Sequence, residues 1–200
     1  RVPAMKPKVI DVDRGWKAML ASVAEIAKGA HVRVGILGDE TRGGLHMTDP
    51  ETGKASPLTV AEIAVVNEFG TEDGHIPARP AHRMAYDNLR GELQTMAFRA
   101  LTRIVLDRNL TVEAALNLMG LRLATGIKNF ITTQTGELLP NAPSTVLAKV
   151  PASSKGAKRA KAIALARALI DTGRTVNAIS WAVTIGTSTK PHGYLPGSKG

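Results

Sequence analysis

Apolar positions change their period several times along the chain, and each change marks an element. Trp16, Met19, Leu20, Val23, Ile26 and Ala27 recur at helical spacing, with Asp13 placed to cap the helix and Gly29 to end it. From His31 the period drops to two. Val32, Val34 and Ile36 share one face of a half-buried strand, which Gly38-Asp39 terminates. Residues 39–57 lose all periodicity, and their glycines and prolines among polar groups predict a long loop of functional or mobile type. Thr59 and Glu62 then form the T-x-x-E capping box of a short helix. Leu58 and Ile63 supply its hydrophobic staple, and Gly70 is a left-handed stop after Phe69.

A stiff connector follows, His75-Ile76-Pro77-Ala78-Arg79-Pro80, in which Pro80 pushes Arg79 toward extended geometry. Met84, Leu89, Leu93, Met96, Ala97, Ala100, Leu101, Ile104 and Val105 mark a long amphipathic helix, broken at Asp107-Arg108-Asn109. Thr111 caps a second one, whose apolar face is Val112, Ala115, Leu116, Met119, Leu123, Ile127, Phe130 and Ile131. Residues 133–156 read as loop, and 157–169 as a helix rich in Ala, Lys, Arg and Leu. Asp171-Thr172-Gly173-Arg174 is a turn, after which Ile179, Trp181, Val183 and Ile185 alternate as a strand. Few strands among several helices give an α+β fold. The expected architecture is a small antiparallel sheet packed against two long helices. Residues 1–12 form an arm, 13–186 a single domain with the 39–57 loop, and 187–200 a flexible tail.

Composition narrows the chemistry. Cysteine is absent, which excludes disulfides, thiolate metal sites and cysteine nucleophiles. Aromatic content is 4%, so the core is built from smaller apolar side chains and oligomerisation would compensate. No early stretch has the make-up of a signal peptide, and none approaches the roughly 18 consecutive apolar residues of a membrane span. The histidines 31, 46, 75, 82 and 192 fall in no metal-binding spacing. His75 and His82 flank the proline segment and suit surface or hydrogen-bonding roles. Gly35-Ile36-Leu37-Gly38 and Gly186-Thr187-Ser188-Thr189-Lys190 lack the spacing of dinucleotide and phosphate loops. The expectation is a protein that is not an enzyme and takes no cofactor and no metal.

Charge is unevenly placed. Residues 1–100 carry 13 Lys/Arg and 13 Asp/Glu, whereas 101–200 carry 13 and 4, so the whole net charge of +9 lies in the second half. Such asymmetry points to an acidic or polyanionic partner. Its centre is Lys155, Lys158, Arg159 and Lys161. A solvated helix face and contact with an acidic neighbouring subunit are the leading readings. Direct DNA contact stands behind them, since no aromatic residue for base stacking lies in the segment.

Three segments, in order, resemble the tail-component and tail-completion proteins of long-tailed bacteriophages, including the Mu-type virion morphogenesis family. The first is Val60 to Thr71, containing Glu68-Phe69-Gly70-Thr71. The second is Ile76-Pro77-Ala78-Arg79-Pro80 before a long helix. The third is Leu169-Ile170-Asp171-Thr172-Gly173-Arg174, leading to Asn177-Ala178-Ile179-Ser180-Trp181. Such proteins usually carry Phe after the second motif, where Ala81-His82 stands here. The stretch 152–168 looks like a basic helical insertion peculiar to this chain. The resemblance implies a structural virion protein at the head–tail junction: a tail completion or neck subunit. Its partners would be the head–tail connector, tail terminator or tail tube, in a homo-oligomeric ring that can contact packaged DNA and no membrane. Glu68 and Arg79 would pair structurally, within a subunit or across an interface. The alternatives are a tail terminator or connector ring subunit and, in another class, a basic DNA-binding accessory protein.

Overall fold

The computed structural model describes residues 13–38, 41–48, 53–107, 109–133, 141, 143–148, 150, 152–165, 169 and 173–192. The arm 1–12, residues 193–200 of the tail, and Asp171 and Thr172 of the third motif lie outside the described residues. The elements are α1 (Trp16–Ala27), β1 (His31–Ile36), β2 (Thr41–Thr48), β3 (Ala55–Thr59), α2 (Val60–Phe69), α3 (Ala81–Thr102) and a π-helical turn Arg103–Asp107. They continue with α4 (Val112–Thr133), α5 (Pro143–Ala148), α6 (Gly156–Leu165), α7 (Arg174–Asn177), β4 (Ile179–Ile185) and β5 (Ser188–His192). The fold is α+β, with a small antiparallel sheet in the order β1-β4-β5 against the helices.

β4 is the centre of that sheet. His31 pairs with Thr184 and Ile36 with Ile179 on one side, while Trp181 pairs with His192 and Ile185 with Ser188 on the other. Five of the seven residues from Ile179 to Ile185 are buried, so the strand alternates less than the sequence suggests, because helices cover one face and β1 and β5 flank both edges. Ile179, Ala182 and Val183 are buried, as are Ser180 and Thr184.

α4 lies between the sheet and α3. Its residues Ala124, Ile127, Phe130 and Ile131 join Ala81 and Ala85 of α3 and Ile179 of β4 in the main core. A second cluster, Ile104, Val112 and Ala115, closes the far end with Ile26 and Ile185 packed on it. Arg122 ties α4 to α3 by donating two hydrogen bonds to Glu92, from Nε at 2.7 Å and Nη2 at 2.6 Å. α4 crosses the sheet closely at Gly120. A Cβ there would stand 2.5 Å from Trp181 Cδ1 and 2.9 Å from Val32 Cγ2. Trp181 is held in place by donating from Nε1 to Asn117 Oδ1 at 3.1 Å and by stacking on His192.

Three expectations need correction. The 39–57 loop contains an antiparallel hairpin, β2 with β3, in which Met47 pairs with Ser56 and the register slips between Thr41 and His46. The polar tail begins with β5, whose residues pair with β4 despite carrying Pro191; an edge strand tolerates the missing N–H. Residues 143–148, read as loop, form α5. A fourth difference concerns α1. Gly15 is its N-cap, with Asp13 Oδ1 accepting from the Gly15 N–H at 2.9 Å, and no residue of the helix is buried. Trp16, Leu20 and Val23 remain exposed. No described helix is long and apolar enough to cross a membrane.

Gly120→Ala should destabilise the protein by about 1–2 kcal/mol, since overpacking at Trp181 outweighs the gain in helix propensity. Gly91→Ala, where a Cβ meets nothing within 4 Å, should stabilise by up to about 1 kcal/mol. Denaturant unfolding of both variants checks the pair. Arg122 also holds the Glu92 carboxyl below the usual carboxylate range by hydrogen bonding. A depressed folded pKa stabilises above the unfolded pKa and is lost as pH falls through the folded one. The Tm difference between wild type and Glu92→Gln should therefore be present at neutral pH and shrink below the ordinary carboxylate range.

Candidate functional site

The sequence-predicted motif residues converge on one joint, built from the end of α2, the turn after it, the proline connector and the start of α3. α2 begins as the capping box requires: Thr59 Oγ1 accepts from the Glu62 N–H at 3.1 Å, and Glu62 Oε2 accepts from the Thr59 N–H at 2.7 Å. These bonds, backbone first, lower the Glu62 pKa. α2 ends at Gly70, with φ 77° and ψ −177°. That is a glycine conformation but not the left-handed helical one expected. Its reason is close approach: a Cβ would meet Ala78 N and Ile76 O at 2.8 Å.

The connector folds back across this glycine. Thr71 N–H donates to Ile76 O at 2.9 Å, while Thr71 Oγ1 accepts from the Ile76 N–H at 2.9 Å. Asp73 Oδ1 accepts from the His75 N–H at 3.0 Å. The Thr71 side chain first, then that N–H, lowers the Asp73 pKa. Arg79 N–H donates to Asn67 O at 2.7 Å, which docks the connector on α2. Arg79 is only 7% exposed, and burial lowers its pKa. Pro77 is exposed and Pro80 half-buried.

Pro80 is the N-cap of α3 and offers no side-chain acceptor. Glu68 takes that role from the preceding helix. Its Oε2 accepts from the His82 N–H at 3.0 Å, and its Oε1 from the Arg83 N–H at 3.0 Å. His82 Nδ1 lies 3.3 Å from Oε2, and Arg83 Nε lies 4.0 Å from Oε1. A carboxylate at a helix N-terminus satisfies free N–H groups and complements the positive end of the helix dipole. Within the subunit, Glu68 turns to His82 and Arg83. The sequence holds a signal for this. Residues 77–80 contain no Ser, Thr, Asp or Asn, so the cap of α3 had to come from elsewhere.

Beside the joint runs an open groove of about 190 Å³, lined by Gly35, Ile36, Ala61, Ala64, Val65, Glu68, Phe69 and His82. Phe69 is 68% exposed, with the Arg83 guanidinium 5.5 Å from its ring centroid. Val65 is 57% exposed. Of the third motif's turn, Leu169, Gly173 and Arg174 are described. Gly173, left-handed at φ 75°, starts α7, which packs against α2, α4 and β4 and carries Arg174.

The basic cluster lies elsewhere. Lys155, Lys158 and Lys161 are exposed and Arg159 is half-buried, at and along α6. No described group of three or more His, Asp or Glu residues is arranged to hold a metal ion. His75 is exposed in the connector turn, and His82 serves the Glu68 cap.

Compared with protein-family models, curated proteins and solved structures, the chain matches none.

Glu68→Ala should destabilise the protein by about 1–3 kcal/mol, as two N–H groups of α3 lose a charged acceptor. Glu68→Gln keeps an acceptor oxygen and should lose less. Thermal unfolding that places both variants at the wild-type Tm would show that the cap does not hold the joint.

Proposed function

We propose that the protein is a structural subunit of a tailed-phage virion, at the head–tail junction, acting by binding and not by catalysis. The observation that carries this is where the aromatic residues lie. The chain has only seven. Four of them are on the surface: Trp16 at 64% exposure, Phe69 at 68%, Tyr86 and Phe98. Large aromatic side chains are the preferred anchors of protein interfaces. A chain so poor in them that leaves most outside its own core has surfaces made to be covered.

A further feature supports the reading. The first two segments that resemble tail-completion proteins form one joint, with Phe69 and Val65 beside a groove of side-chain size. A ring subunit needs such a joint, because an interface presented at the wrong angle does not close. The partners would be copies of the same chain and neighbouring connector, terminator or tail-tube proteins. A terminator or connector ring is the nearest alternative within this reading, and the virion its location.

Phe69→Asp should leave the folded monomer within about 0.5 kcal/mol of wild type, as an exposed substitution. In a phage lacking its own copy of the gene, it should yield unjoined heads and tails by electron microscopy. Normal virions with this substitution, or wild-type virions without this protein at the neck, would sink the proposal.

A further inference from the structure

Residues 138–170 contain six Lys or Arg and no Asp or Glu. α6 lies inside this run. No other described helix or strand packs extensively against it. At 100° per residue, Lys158, Arg159 and Lys161 fall within roughly a 160° arc of α6, and Lys155 stands just before its first residue, Gly156, whose φ is 52°. Ala157, Ala160 and Ile163 lie on the other side of the wheel. Among the described residues none of the four cations is paired with an acid.

These charges are not placed for the stability of the helix. Lys158 and Arg159 sit in its first turn, which holds no acidic residue. There they face the positive end of the helix dipole, where acids would stabilise and cations do the reverse. An anionic partner would relieve that repulsion.

The composition of the face selects among anions. Protein interfaces are depleted in Lys and rely on aromatic anchors, and this face has three Lys and no aromatic residue. A helix lying in a membrane surface needs large apolar residues opposite its charges, and the opposite side here is alanine with one isoleucine. Single-stranded nucleic acid is held by base stacking, for which nothing is present. Duplex nucleic acid asks only for closely spaced cations. It presents a continuous row of phosphates, at roughly one charge per 1.7 Å of axis. We infer that the basic face of α6 docks on the phosphate backbone of duplex nucleic acid, without reading its sequence. This stands on α6 alone and does not rest on the head–tail reading.

The test uses the full chain and fluorescence anisotropy with two unrelated 30-bp DNA duplexes and one RNA duplex, between 50 and 300 mM salt. The two DNA sequences should bind alike, with log K falling against log salt at a slope near −3.6 for four phosphates neutralised. The combined variant Lys155→Ala, Lys158→Ala, Arg159→Ala and Lys161→Ala should lose at least 100-fold in affinity at 50 mM salt. Its helix content by circular dichroism should be kept, since alanine favours helix. A control with Lys17, Lys28, Arg33 and Arg90 changed to Ala removes as much charge elsewhere and should bind as wild type. RNA binding at equal strength supports phosphate recognition, and weaker RNA binding identifies the duplex as B-form DNA. Equal losses in both quadruple variants, preference for a poly-glutamate peptide or anionic vesicles of phosphatidylglycerol, or no duplex binding at 50 mM salt would each overturn the inference.

Discussion

The carboxylate of Glu68 fixes where the longest helices go. Two prolines bring the chain out of the turn after α2, and the second leaves the start of α3 without a local cap. Glu68 reaches back from α2 and accepts from the N–H groups of His82 and Arg83. That pair of bonds sets the position of α3 relative to α2. Ala81 and Ala85, one and five residues beyond Pro80, then meet Ala124 and Ile127 of α4. α4 in turn covers β4 and β1, and the rest of the sheet follows from their pairing. A shift at the cap would move α3 along α4 and open the main core.

The same joint explains why the motif has its residue types. Gly70 is required because the connector backbone comes within van der Waals range of where its Cβ would be. Thr71 bonds Ile76 with both its N–H and its hydroxyl, which closes the turn. Arg79 is buried, and its N–H ties the connector to Asn67. Each residue serves the geometry of a bend. Chemistry-bearing side chains here hold backbone.

Local signals were read well from the sequence where the physics is local. The capping box at Thr59 and Glu62, the strands 31–36 and 179–185, and the two long helices depend on neighbours a few residues away, and their patterns survive in the fold. Non-local elements were not legible. β2 has the sequence TRGGLHMT, with no alternation to mark it, and exists because β3 pairs with it. β5 is polar and contains a proline; its order comes from β4 and from His192 stacking on Trp181. The cap on α3 comes from 14 residues away. The stripe on α1 was legible as a helix, but its apolar face does not become core: Trp16, Leu20 and Val23 face outward. Periodicity shows that a face is apolar and does not say what covers it.

The exposed aromatics and the cap have one physical origin. Six of the buried apolar residues are alanines, at 81, 85, 115, 124, 178 and 182. Alanine lets elements approach closely, as Ala81 and Ala85 of α3 do against Ala124 of α4, but each buries little apolar area and contributes correspondingly little. A core of this kind depends more on well-satisfied backbone and tight crossings than on large side chains. That raises the share of the stability resting on the Glu68 cap, the Glu92–Arg122 pair and the Asn117–Trp181 bond. It also leaves the large apolar side chains free for the outside, where covering Phe69, Phe98 and Trp16 against other subunits would add the burial that the small core lacks. On the proposed reading, stability and assembly would be coupled: the subunit would become fully stable only in the structure it helps to build.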